Sequence, residues 1–128
     1  MNHRIDPSPL SIWQSHLERG ELAYQVTEDG RAVFFPRVTA PGTGGPLAWR
    51  VSRGLGTVYA TTVNHLRDEP PRHVALIDLD EGFRMMSRVD GIAPDAVRIG
   101  LRVKLQVLPA EEGRAPLPVF VPVGESAA

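Results

Sequence analysis

The chain contains no cysteine, which excludes a disulfide frame, a thiolate nucleophile and any Cys-ligated zinc ion or iron–sulfur cluster. Aromatic residues make up only 6%, few for the stacking platform of a single-stranded nucleic-acid binder. Neither sign of charge dominates, with 14 Lys and Arg against 15 Asp and Glu. An electrostatic footprint for nucleic acid or an anionic membrane is therefore lacking, and binding to either would rest on a local patch. No run of about eighteen apolar residues occurs. The first twelve residues, MNHRIDPSPLSI, mix charge, proline and serine where a leader would be basic and then apolar. The expectation from these absences is a soluble, cytoplasmic protein. Its 128 residues, 42% of them hydrophobic, suffice for one core but hardly two.

What is present begins with a short helix. Ser8 suits the cap, Pro9 the first turn, Leu10, Trp13 and Leu17 recur at helical spacing, and Gly20 stops the element. Such a stripe either docks on the chain's own core or meets another protein. Leu22, Tyr24, Val33, Phe34 and Phe35 are apolar islands before TAPGTGGP (39–46), a loop by its glycines and prolines. That loop is expected to be mobile, with little to hold it beyond turn chemistry. From Trp49 the pattern is all-β. GTVYATTVNH (56–65) and HVALIDL (73–79) read as strands around the RDEPPR break, and Asp80-Glu81-Gly82 turns into a segment in which Phe83, Met85, Ser87 and Val89 share a face. Pro94 to Val97 is one helical turn. Leu101, Val103, Leu105 and Val107 then alternate with Arg102, Lys104 and Gln106, and LPVFV (117–121) is a last strand whose prolines suit a position without a ladder donor. Three strands, a helical turn and two strands is the order of a five-stranded OB barrel, although other small barrels produce similar patterns. Gly54 and Gly56 fit the bend of a curved first strand.

Several pieces in this order resemble one family. SIWQSHLERGELAYQ (11–25), VFFPR (33–37), RGLGTVYATTV (53–63), VALIDLDEGFRMMSRV (74–89), PDAVRIGLRVKLQV (94–107) and LPVFVP (117–122) are similar to the zinc-ribbon plus OB-fold proteins that accompany acyl-CoA enzymes. The resemblance implies a mainly β chain: an N-terminal helical segment (1–20), a ribbon segment (21–48), a five-stranded OB-fold barrel (49–122) and a tail (123–128). In the family the ribbon carries a CxxCG and a CPxCG whose four thiolates close a tetrahedral zinc site. The matching positions here are Val26, Asp29, Ala40 and Thr43. One carboxylate without His or Cys neighbours is not a zinc site, so the ribbon is expected to be a degenerate, metal-free, rubredoxin-like relic.

Catalytic patterns are scarce. His3, His16, His65 and His73 lack metal-site spacing, and no GxSxG is present. Asp78, Asp80 and Glu81 cluster at a hairpin end, where acids are usually solvated turn residues. His65 and His73 flank one loop and could share a barrel rim, without a nucleophile or metal companion in sequence. Family members resemble non-catalytic partners of thiolase-like enzymes, hot-dog-fold hydratases and aldolases. The resemblance therefore implies an accessory subunit with no tightly bound cofactor, no zinc, and a coenzyme A thioester as a possible shared ligand. Its phosphates would call for arginines. Arg84 and Arg88 on the third strand, Arg37 in the FPPR-like motif, Trp49 and His65 are the candidate contacts, against the plainer reading of solvated strand faces, a capped histidine and a core tryptophan. The competing readings are an OB module for single-stranded nucleic acid and a stand-alone thioester enzyme.

Overall fold

The computed structural model describes residues 8–65, 67–111 and 113–123. His3 and the tail beyond Val123 lie outside the described residues. One helix, α1 (Pro9–Glu18), is capped as its sequence requires: the Ser8 hydroxyl accepts from Ser11 N, and Trp13 and Leu17 turn inward. Leu10, counted in the same stripe, instead faces solvent, because one turn of a short helix reaches past the edge of the surface that it covers. No described helix is long and apolar enough to cross a membrane.

Two sheets follow. β1 (Ala23–Val26) is the centre of a small antiparallel sheet, with β2 (Ala32–Val33) on one side and β3 (Ala48–Val51) on the other. Trp49 stands in this sheet opposite Gln25. The larger sheet has the order β6-β5-β4-β7-β8, built from β4 (Leu55–Asn64), β5 (Arg72–Leu79), β6 (Arg84–Ser87), β7 (Arg102–Leu108) and β8 (Leu117–Pro122), with a 3-10 turn at Pro94–Ala96 before β7. The inward residues are those of the alternation: Ala75, Ile77 and Leu79 on β5, Met85 on β6 and Val103 on β7 are buried.

The loop at 39–46, expected to be mobile, is in fact anchored. Gln25, buried on β1, clamps the Arg37 main chain from both sides: its Nε2 donates to Arg37 O and its Oε1 accepts from Arg37 N, each at 2.8 Å. Ala40 is buried, its N–H donates to Gly45 O, and its carbonyl accepts from Gly44 N. A long-range amide clamp leaves no local sequence signature. Above it, Phe34 stacks on Phe83 at 5.0 Å, Tyr24 stacks on Phe83 at 4.9 Å, and Trp13 meets Phe34 edge-on at 6.0 Å. These contacts weld helix, small sheet and large sheet into one core.

The expected barrel is an open sheet. Its outer edges touch through one parallel bridge, Val89 to Phe120, in which Phe120 N donates to Arg88 O and Asp90 N to Phe120 O. The next residue of β8 that faces this seam is Pro118, which has no N–H to continue the ladder. Its carbonyl takes the Ser87 hydroxyl at 2.9 Å instead. The same proline that reads as tolerable at an edge thus ends the pairing.

Gly56, in the central strand, needs its missing side chain. A Cβ there would lie 2.8 Å from Asp78 O and 2.8 Å from Ile77 Cγ2. Gly56→Ala is expected to cost about 1–3 kcal/mol by overpacking, read as a lower urea midpoint with an unchanged slope. Two residues on, the β4–β5 register slips between Val58 and Ala60, and Tyr59 is half-exposed.

Candidate functional site

The open seam and the helix frame a groove of about 650 Å³ between α1, Phe34-Phe35, β6 and the start of β8. Its walls are Trp13, Phe34, Phe35, Val74, Met86 and Leu117, and Arg84 and Arg88 stand at it. Met86 is 70% exposed and Phe35 49%. Trp13 Nε1 and His73 Nε2 are buried beside this groove without a hydrogen-bond partner among the described residues.

Of the five candidate ligand contacts named from sequence, Arg37, Trp49, His65, Arg84 and Arg88, the structure brings Arg84 and Arg88 to the groove, and both guanidinium groups are engaged. Arg84 is held by Asp78 at 2.5 and 3.3 Å and lies 3.5 Å over the Tyr59 ring. The Asp78 carboxylate raises the Arg84 pKa above its ordinary value. Arg88 makes a fork to Asp90 at 2.9 and 3.2 Å. Arg37 is exposed, with its main chain in the Gln25 clamp. Trp49 is half-buried and stacks on His16 at 6.1 Å. His65 is solvent-exposed and lies 3.5 Å from Asp95, whereas His73 is at the groove with Nδ1 3.3 Å from Thr62 O. The two histidines therefore have different neighbours.

The acid cluster is fully occupied with structural bonds. Asp78 holds Arg84, Asp80 holds Arg102 at 2.8 and 2.9 Å, and Glu81 accepts from the Ser52 hydroxyl and Arg53 N at 2.7 and 2.8 Å. Glu81 thereby pins the connection between β3 and β4. Arg84 covers one face of Tyr59, the exposed aromatic of β4, so that face is taken from base stacking. The groove residues that sequence reasoning did not tie to the face of Arg84 and Arg88 are Trp13, Phe35 and Leu117. The available signal was Met86, an apolar residue on the solvent side of an alternating strand.

At the positions matched to zinc ligands, Asp29, Ala40 and Thr43 line one small cavity of about 380 Å³. The residues do not fit zinc: Val26 and Ala40 are buried and apolar, and the Asp29 carboxylate is bonded to the Thr27 hydroxyl with Arg31 at 3.6 Å. Among the described residues no three His, Asp or Glu side chains gather to hold a metal.

Among the described residues three carboxylates carry lowered pKa values. The largest cause is a hydrogen bond from His16 for Glu21, from Thr27 for Asp29 and from Arg102 for Asp80. A carboxyl group with a lower pKa in the folded than in the unfolded state stabilises above the unfolded value, near 4, and loses that stabilisation as pH falls through the folded value. The urea midpoint is expected to be flat from about pH 7 to 5 and to fall below about pH 4. Asp80→Asn should make that acid limb shallower.

The described chain is mainly β, with one α-helix and an open five-stranded OB sheet whose hairpin acids Asp78 and Asp80 are paired with Arg84 and Arg102. Residues 49–108 match the family described as the ChsH2 C-terminal OB-fold domain. Over 73 residues the chain is 42% identical to a probable enoyl-CoA hydratase alpha subunit of Thermomonospora curvata, covering 54% of this chain and 23% of the relative. It is 40% identical over 63 residues to the 3-oxo-4,17-pregnadiene-20-carboxyl-CoA hydratase alpha subunit of Mycobacterium tuberculosis, covering 46% of this chain and 20% of that one. The chain thus spans less than a quarter of the length of these curated relatives. A chain of the solved Ltp2–ChsH2(DUF35) aldolase superposes with a TM-score of 0.77 and 30% identity, over 94% of this chain and 98% of that one. The protein belongs to the ChsH2 C-terminal OB-fold (DUF35) family, associated with acyl-CoA hydratase and aldolase subunits.

Proposed function

We propose that this chain is a non-catalytic accessory subunit that docks on an acyl-CoA enzyme of the hydratase or aldolase kind and completes or bridges its acyl-CoA site. The observation that carries the reading is the likeness along nearly the whole chain to a component of an aldolase assembly. The chemistry agrees. General acid–base work needs groups whose environments push their pKa values apart within reach of a substrate, whereas Asp78, Asp80 and Glu81 are consumed by Arg84, Arg102 and Ser52. Arg37, exposed and without an ion-pair partner among the described residues, is one of the arginines that could meet a coenzyme A phosphate at the shared site.

The small sheet with its two turns is, on this reading, the ribbon's relic. Turn hydrogen bonds, the Gln25 clamp and the buried Ala40 hold it where four thiolates would have. Metal analysis of chelator-free protein should find no stoichiometric zinc, and one zinc per chain would overturn this part. The test of function is affinity capture of the tagged chain from its source cells with quantitative mass spectrometry. A hydratase- or aldolase-type subunit in near-equal amount supports the reading, and recovery of the chain alone overturns it.

A further inference from the structure

The seam beside β6 has hydrogen-bonding groups as well as an apolar wall. In the β5–β6 ladder, Leu79 N donates to Phe83 O, and Ile77 and Asp78 stand opposite Met85 and Arg84. Bonded pairs in an antiparallel ladder recur every second residue, so Met85 and Ser87 turn their main-chain groups toward β5, and Arg84, Met86 and Arg88 turn theirs toward the seam. Arg88 O confirms the phase, because it accepts from Phe120 N at 3.0 Å. One step back, Met86 O would need the N–H that Pro118 lacks. Among the described residues, neither Met86 nor Arg84 has a main-chain partner on that side.

This bare edge runs along the groove, where Phe35, Val74, Met86 and Leu117 are each exposed by 42% or more. Exposed apolar residues gathered at one concavity mark an interaction site more often than scattered ones do. The rim arginines are each paired with a carboxylate, so the groove offers no spare cation for a phosphate or an acidic segment. An uncharged extended peptide satisfies both features, since its main chain pairs with a strand edge and its alternate side chains fill the groove.

We infer that β6 is extended by a strand of the partner enzyme subunit: an apolar, uncharged segment whose main chain bonds to Met86 and Arg84 in the gap that Pro118 leaves open. The inference rests on the accessory-subunit reading and names its docking surface. It predicts that the Met86 and Arg84 amides exchange quickly in the free chain and at least tenfold more slowly in the purified complex. Met86→Pro removes the donor that faces away from β5, so the free chain should keep its melting temperature within a few degrees while affinity for the purified subunit falls at least tenfold. Should that variant fail to fold, Met86→Lys puts a charge on the same exposed edge and is expected to weaken the complex likewise. Ile99→Asp, at an exposed position outside the groove, should bind as wild type.

A complex that forms with unchanged exchange at 84–86, or that tolerates both Met86 variants, overturns the inference and leaves the accessory reading standing. Failure to capture any subunit removes both. Protection of the same amides by palmitoyl-CoA alone, or by concentration-dependent dimerisation of the free chain, would give the groove to an acyl ligand or to a second copy and also overturn it.

Discussion

Phe120→Ala is expected to destabilise the chain by about 3–5 kcal/mol, the largest effect of any single truncation considered. Phe120 is fully buried, faces Leu105 on β7 and, through its main chain, forms the bridge to Val89 that holds the two edges of the large sheet together. Removing the ring leaves a cavity where β6 and β8 meet, and the flanking strands cannot both collapse into it while the backbone bonds to Arg88 and Asp90 persist. Against a typical total of about 5–15 kcal/mol, such a loss lowers the melting temperature by roughly 10–20 °C. Thermal and urea unfolding of the two proteins check it. Phe120→Leu should recover most of the loss, since it keeps an apolar side chain of nearly the right volume. A loss below about 1 kcal/mol for Phe120→Ala would mean that the bridge does not depend on the packing beneath it.

Gln25→Ala should cost about 2–4 kcal/mol, and its effect should be regional. The mutation deletes both partners of the Arg37 main chain, whose N–H and C=O are each bonded to Gln25 at 2.8 Å. Water reaches Arg37 and will take up part of the loss, whereas the hole left on β1 is buried. The expected result is about a hundredfold faster amide exchange at residues 33–45, corresponding to the lower part of that energy range, with a smaller change in the large sheet. Gln25→Glu should behave nearly as badly, because a carboxylate accepts from Arg37 N but sets a second acceptor against Arg37 O. Unchanged exchange at 33–45 in both variants would show that Ala40 and the aromatic contacts of Phe34 suffice to hold the loop.

Both predictions concern contacts that join distant parts of the chain, and this divides what was legible from what was not. The large sheet was readable because its signals are local. Alternation at 101–108 gives β7 with Val103 inward, Asp80-Glu81-Gly82 gives the turn between β5 and β6, and Pro94 gives the helical turn before β7. The same is true of α1, where Ser8 and Pro9 mark the start and Gly20 the stop. The candidate arginines illustrate the other side. Arg84 and Arg88 were read as one charged face open to a ligand, and they do reach one groove, but each is bound by a carboxylate, Asp78 or Asp90. Arg84 takes its acid from the adjacent strand, and only the register between β5 and β6 reveals that pairing.

The sequence by itself determined the absence of thiolate chemistry, the near balance of charge, the order of strands around one helical turn, and the missing ladder donor at Pro118, since these follow from residue type and spacing alone. Tertiary structure alone decided that the strands form an open sheet instead of a closed barrel. It also decided that Gln25 fastens the loop after Phe35, and that Trp13, Phe35, Met86 and Leu117 from four parts of the chain wall one groove. The physical reason is common to all three: hydrogen bonds and apolar contacts between residues far apart in the chain are fixed by register and packing. A single sequence records which residues could take part in such contacts, but not which of them meet.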